Sequence, residues 1–311
     1  MKRLISTVDL PREEWLKVRR TGLTGTDIGA ITGMNPYSSA FQVYHDKLSE
    51  ETEDYDNEAM RQGRDLEEYV ARRFTEETGL KVRKANAVYQ NEEYPFMLAD
   101  FDRLVVGQKA GLECKTVSAY SADKWSDGRI PLHYQMQVQH YLAVSGFDTW
   151  YIAALIMGRE FVIRKIERDE ELIRNLIIIE KRFWEENVVK RIPPDPDGSR
   201  AYSDMLLQLY SAEKDKEIRL FGMKEQLVRR AEIEQLVKKL ETEKEQIDQS
   251  IKLRMQDASY AVAEDYRIFW TQANQNRIDA KRLKEEQPEI YDRYAKEVVS
   301  RRFCVKYDPA A

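Results

Sequence analysis

Cysteine is almost missing from this chain. Cys114 and Cys304 are the only two in 311 residues. That is too few for a disulfide framework or for an iron–sulfur cluster held by four thiolates. Histidine is nearly as scarce, occurring at positions 45, 133 and 140. His133 and His140 lie seven apart, close enough to share a helix face, yet without cysteine neighbours they make a poor zinc site. No apolar run of about 18 residues occurs, so a membrane-spanning helix is not expected. The first residues, MKRLISTVDLPREEW, lack the apolar centre of a signal peptide, and a cytoplasmic protein is the expectation. There is no G-x-x-x-x-G-K-[ST] stretch, which argues against a P-loop motor. Positive charge is not in excess either: 50 Lys and Arg stand against 55 Asp and Glu, for a net charge of −5. A uniformly basic nucleic-acid-binding surface is thereby excluded, whereas a local basic groove is not.

The densest turn-forming stretch is Pro193-Pro194-Asp195-Pro196-Asp197-Gly198-Ser199, and it divides the chain. Before it, helical and strand-like segments alternate, as in a mixed α/β domain. Residues 58–78 read as a helix stopped by Gly79, and 132–145 as a helix stopped by Gly146. Strands are expected near 80–90, 97–106, 111–117, 149–157 and 160–166, followed by a helix over 169–189. Beyond the prolines, Ile233, Leu240 and Ile247 recur every seven residues, with Val237 and Ile251 on the adjoining seam. A long helix over 211–257 follows, part of a helical hairpin or short coiled coil. Three parts result: 1–198, a helical extension 199–257, and a small α+β segment 258–311 with a helical centre near Asp279.

The chemistry concentrates in LADFDRLVVGQKAGLECKTV, residues 98–117. On a strand, Glu113 and Lys115 face the same way, while Leu112, Cys114 and Thr116 face the other. A hairpin turn centred between Gly107 and Gln108 sets Asp102 across from Glu113. Directly opposed residues bring their Cβ atoms to about 4.5–5.5 Å. Two carboxylates at that separation repel unless a proton or cation intervenes. A hard divalent cation such as Mg²⁺ meets that need. Lys115 then places an ammonium beside the cation, where it orients a water or stabilises charge on a phosphoryl group. The same residues on an ordinary charged surface hairpin are the alternative.

This D-x₁₀-E-x-K arrangement, Asp102…Glu113-Cys114-Lys115, resembles the core of the PD-(D/E)xK nucleases. Further matches resemble, within that superfamily, the lambda exonuclease/YqaJ-like viral recombinases, the phage alkaline exonucleases. They are Gly63-Arg64-Asp65-Leu66-Glu67, Gln137-Val138-Gln139-His140-Tyr141, and Trp15-Leu16-Lys17-Val18-Arg19 followed by Thr24-Gly25-Thr26-Asp27. The likeness covers about residues 12–190, with matches in the family's order. Two neighbours depart from the family pattern: Phe101 and Arg103 flank Asp102, where the family often has Pro and Gly.

The resemblance implies a restriction-endonuclease-like α/β core, with a central mixed sheet flanked by helices and a C-terminal helical extension. It implies Mg²⁺, with Mn²⁺ as a substitute, bound by Asp102, Glu113 and the Cys114 carbonyl and completed by Glu67 directly or through water. Lys115 positions the attacking water, and Gln137 supports Lys115 or the scissile phosphate. Arg19 and Thr26 receive a 5′ phosphate. Asp100 competes with Asp102, and Arg20 with Arg19. The implied activity is a 5′→3′ exonuclease on double-stranded DNA ends that leaves 3′ tails for single-strand annealing. The implied setting is a ring-like homo-oligomer, often a trimer, working with an annealing recombinase in the host cytoplasm. An endonuclease, a nuclease of opposite polarity, or a non-catalytic DNA-end scaffold are the competing readings. Arg72-Arg73 and Lys81-Val82-Arg83-Lys84 offer a phosphate path or a solvated surface.

Overall fold

The computed structural model describes residues 1–50, 57–210, 217–296 and 301–307. The chain forms two compact units, Met1–Ser211 and Ala212–Ala311. The first unit opens with β1 (Lys2–Ser6), α1 (Arg12–Arg20), α2 (Gly25–Ile31), α3 (Ala40–Leu48) and α4 (Glu58–Thr78). Next come β2 (Val82–Lys84), β3 (Ala87–Gln90), β4 (Leu98–Asp100), β5 (Arg103–Val105) and β6 (Ala110–Val117). A 3₁₀ segment, Ala119–Gly128, leads to α5 (Leu132–Ser145), β7 (Thr149–Ile156), β8 (Glu160–Glu167), α6 (Glu170–Arg182) and α7 (Arg200–Leu209).

The central sheet runs β2-β5-β6-β7-β8, with β6 and β7 parallel and the other pairs antiparallel. Strand alternation sorts its side chains into two layers. Leu112, Ala153 and Tyr151 pack against Val70, Ala71 and Phe74 of α4. Trp150, Ile152 and Ala154 pack against Val138, Tyr141 and Leu142 of α5. Helix ends follow local chemistry: α4 stops at Gly79 (φ 72°) and α5 at Gly146 (φ 68°), both in the left-handed region that glycine favours.

The stretch expected as one strand over 97–106 is two. Leu98–Asp100 joins a separate sheet, β1-β3-β4, and Arg103–Val105 joins the central one. The chain changes sheets at Phe101 and Asp102. Phe101 anchors the bend, its ring 4.8 Å from Trp150, 5.1 Å from Tyr89 and 5.2 Å from Tyr141. The region near 80–90 is likewise split, with Asn86 at φ 51° between β2 and β3. The helix expected over 169–189 is α-helical to Arg182 and continues as a π-helix over Phe183–Val189.

Helix α7 belongs to the first unit, so the division falls after the proline stretch and not at 198. Tyr202 stacks on Phe41 at 4.5 Å and is buried there. In the second unit α8 spans Lys224–Met255, starting later than 211; residues 211–216 lie outside the described residues. Its seam residues Ile233, Val237, Leu240 and Ile247 are exposed. A two-stranded ribbon follows, β9 (Tyr260–Ala263) with β10 (Tyr266–Phe269), then α9 (Ala280–Glu286), capped by Asp279, and α10 (Pro288–Tyr294). Among the described residues no helix is long and apolar enough to cross a membrane.

Candidate active site

A cavity of about 380 Å³ gathers Arg19, Thr26, Glu67, Asp102, Glu113, Lys115 and Gln137. These seven are the side chains that the family resemblance implied for metal binding, catalysis and the 5′ phosphate, and all of them line it. Cys114, whose carbonyl was the remaining candidate, lies between two of them on β6.

The β5–β6 hairpin has the expected register. Arg103 pairs with Leu112 and Leu104 with Gly111, and the turn between the strands holds Gly107 at φ 77°. Asp102 lies one residue beyond the paired part of β5. Its Oδ2 accepts the Cys114 backbone amide at 2.7 Å. Glu113 and Lys115 share a face, with Lys115 Nζ donating to Glu113 Oε1 at 2.6 Å. Gln137, on α5, donates to the same Oε1 at 2.7 Å and to the Tyr141 hydroxyl, also at 2.7 Å. The other oxygen, Glu113 Oε2, is buried and has no hydrogen-bond partner.

Burial, with Glu113 and Glu67 nearby, pushes the Asp102 carboxyl well above the usual carboxylate range. Lys115 is buried too, which opposes its charge. The carboxylates of Glu113 and Asp102 outweigh that effect and hold its ammonium protonated. Lys115 therefore acts here as a fixed cation and hydrogen-bond donor. Its Nζ also sits 4.8 Å from the Tyr134 ring centre. The Cys114 side chain packs in the apolar layer under α4. Burial and the adjacent Asp102 and Glu113 raise its thiol far above its ordinary value, which removes it as a nucleophile.

Glu67, expected to complete the metal site directly or through water, has its carboxylate engaged by the Arg103 guanidinium. Arg103 is buried, its Nη2 donates to Glu68 Oε2 at 3.0 Å, and its Nη1 donates to the Asp102 carbonyl at 2.9 Å. Among the described residues, no three His, Cys, Asp or Glu side chains stand ready as a ligand set. Asp102 and Glu113 do line one cavity within electrostatic reach of each other, however, and one buried oxygen of Glu113 lacks a partner. Asp102, Glu113 and the Cys114 carbonyl suit a hard divalent cation by donor type.

The second half of the cavity surrounds Arg19. Its Nη2 donates to the hydroxyls of Thr24 and Thr26, each at 3.0 Å, and Nη1 lies 3.6 Å from Asp100 Oδ2. Its guanidinium stacks over Trp15, whose Nε1 donates to Asp100 Oδ2 at 2.7 Å. Asp100 thus belongs to the Arg19 pocket, and Asp102 to the Glu113–Lys115 cluster. Arg20 points elsewhere and pairs with Asp46 at 3.4 Å. Of the basic clusters, Lys84 lines the cavity, while Arg72 and Arg73 pair along α4 with Glu76 and Glu77.

Supporting groups fix this arrangement. Leu98 donates to the Leu23 carbonyl at 2.7 Å, drawing the start of α2 alongside β4. Gly25 lets α2 approach α5: a Cβ there would stand 2.5 Å from the Tyr141 ring and 2.9 Å from the Gln137 side chain. Lys47 is buried and pairs with Asp27 at 2.8 Å. His140 on α5 is wholly buried, with Nδ1 3.0 Å from Glu180 and Nε2 2.8 Å from the Leu98 carbonyl. Burial disfavours its charge, but Glu180 and the carbonyl raise its pKa overall. Arg103, Lys47 and Glu180 carry no signal in sequence, because charged residues at strand and helix positions read as solvated.

Comparison with known proteins places the chain. Residues 14–148 match the model of the YqaJ-like viral recombinase domain. Over 308 residues the chain is 38% identical to the protein of Bacillus subtilis (strain 168) described as uncharacterized protein YqaJ, covering 97% of each. The chain belongs to the YqaJ-like viral recombinase family. Its fold is shared with the crystal structure of LHK-Exo in complex with dAMP. That match has a TM-score of 0.50 at 21% identity, over 64% of this chain and 100% of the other. A second structure of that protein, described as an alkaline exonuclease from Laribacter hongkongensis, matches with a TM-score of 0.49 at 18% identity. It covers 64% of this chain and 100% of the other.

Proposed function

We propose that this YqaJ-family chain is a metal-dependent deoxyribonuclease that degrades double-stranded DNA from its ends in the 5′→3′ direction and leaves 3′ tails. The observation that carries this reading is the joining, in one cavity, of the Asp102–Glu113–Lys115 cluster and the Arg19–Thr26 pocket. Asp102, Glu113 and the Cys114 carbonyl are the groups that would hold Mg²⁺ or Mn²⁺. When bound, the ion supplies Lewis-acid stabilisation of the scissile phosphate. Lys115 holds the attacking water and balances charge at the phosphorus, and Gln137 keeps the Glu113 carboxylate oriented toward it. The water oxygen forms the new P–O bond as the bond to the 3′ oxygen breaks, and the proton released is matched by the one the 3′ alkoxide takes up.

Arg19, with Thr26, is suited to a terminal 5′ phosphate: a forked cation and a hydroxyl donor converge beside the cluster. The description of the structurally related LHK-Exo as an alkaline exonuclease and its complex with dAMP support the same reaction class. Work in recombination with a single-strand annealing partner, as a ring-like oligomer around the duplex, is the setting this reading proposes.

The test uses linear duplexes labelled at either end, with and without a 5′ phosphate, alongside closed circles. Mg²⁺-dependent release from the 5′ end, favoured by the phosphate, is expected. Equal attack on closed circles would identify an endonuclease, and release from the 3′ end would reverse the polarity. DNA binding with no hydrolysis in either divalent ion would make the chain an end-binding scaffold.

A further inference from the structure

Arg103 brings a permanent cation into the candidate metal site. Its side chain is 4% exposed, although arginine is rarely buried without partners. It pairs with Glu67 and Glu68 on α4 and donates to the Asp102 carbonyl. The charge of Glu67 is therefore balanced within the protein. Asp102 and Glu113 are served differently. Lys115 donates to one oxygen of Glu113, and the other oxygen, buried, has no partner. Four carboxylates, Glu67, Glu68, Asp102 and Glu113, thus face three fixed cations, Arg103, Lys115 and Lys84, the last 3.8 Å from Glu68. One divalent ion beside Asp102 and Glu113 leaves a modest positive field for a phosphodiester, whereas a second would strongly overcompensate.

We propose that Arg103 takes, by charge, the place of a second divalent cation. The site then binds one metal ion through Asp102 and Glu113 and keeps Glu67 out of coordination. The inference rests on the metal-dependent reading above. Arg103 is here a positioning residue: it acts on Glu67 and on the turn at Asp102.

Mn²⁺ titrated into the full-length protein, followed by calorimetry and by loss of the free-ion paramagnetic resonance signal, tests this without turnover. One ion per chain is expected. Glu67→Gln should leave its affinity within about threefold, while Glu113→Gln should weaken it at least about tenfold. Arg103→Gly should free Glu67 and add a second, weaker Mn²⁺, lost again in the Arg103→Gly/Glu67→Gln pair. Two ions in the parent, or tenfold weakening by Glu67→Gln, overturns the proposal. So does an Arg103→Gly protein that folds and still takes one ion. If Arg103→Gly does not fold, Glu67→Gln decides alone. No Mn²⁺ binding at all would defeat the metal-dependent reading itself, an outcome distinct from a wrong count.

Discussion

The Asp102 carboxylate accepts the backbone amide of Cys114 at 2.7 Å, across the point where β5 leaves β6. That bond fixes the aspartate against the strand that carries Glu113 and Lys115. Each group in the cluster is therefore held by the sheet or by α5, and little reorganisation is needed when charge develops on a substrate.

Removal of the ammonium is the most direct test of the chemistry. Lys115→Ala should cut Mg²⁺-dependent hydrolysis by about 10²–10³-fold or more, the range for loss of one transition-state donor. DNA-end binding, followed by fluorescence anisotropy in Ca²⁺, should change little. Hydrolysis at the parent rate by Lys115→Ala would remove it from the mechanism.

The raised pKa of Asp102 gives a stability prediction for the metal-free protein. An acid whose folded pKa exceeds its unfolded value holds more protons when folded. Its contribution therefore turns unfavourable as pH rises from the unfolded value through the folded one. Asp102→Asn should raise the Tm of metal-free protein at pH 8 by about 2–4 °C for each kcal/mol relieved, with little change below the ordinary aspartate range. Added Mg²⁺ should raise the Tm of the parent more at pH 8 than at pH 5, and leave the variant nearly unmoved. A Tm for Asp102→Asn below the parent at pH 8 would contradict this.

His140 and Glu180 predict a second pH effect of known sign. A histidine whose folded pKa is raised adds stability that is complete below its unfolded pKa, about 6.5. That stability is lost as pH climbs through the folded value. His140→Gln leaves Glu180 buried without its cation and should cost about 3–5 kcal/mol near pH 6, read by denaturant unfolding. The gap between variant and parent should narrow as pH rises.

Arg19 should govern the choice of DNA end. Arg19→Lys loses the forked geometry and should raise KM on 5′-phosphorylated duplex about tenfold or more. Ends lacking the phosphate should be much less affected. Arg20→Ala, whose parent pairs with Asp46, should discriminate between ends as the parent does.

Gly25→Ala tests the packing behind the cluster. The added methyl meets the Tyr141 ring and Gln137 side chain, so overpacking should cost about 1–3 kcal/mol. Activity should fall by more than the fraction unfolded, because Gln137 is displaced from Glu113. An activity loss accounted for by unfolding alone would argue against that role of Gln137.

Much of this site was legible because period-two alternation and hairpin geometry are local rules. They placed Glu113 beside Lys115 and brought Asp102 to them across the turn. The change of sheet at Phe101 was not legible, since Leu98–Val105 contains no Gly or Pro to mark a break. The anchor for that bend is a tertiary cluster of Tyr89, Tyr141 and Trp150. The grip of Arg103 on Glu67 was hidden for a similar reason: on α4, Glu67 sits in a run of charges that reads as a solvated helix face. The choice between Asp100 and Asp102 was open in sequence because both were placed on one strand face, and the bend sends them to different partners.

That same bend sets a measure. Asp100 and Asp102 are separated by Phe101 alone, yet one holds Arg19 and Trp15 while the other joins Glu113 and Lys115. If the Arg19 pocket seats the end of a strand, the distance from that end to the bond being cut is gauged by these few atoms of backbone. A residue inserted or deleted between Asp100 and Asp102 would then alter the length of the fragment released at each turnover.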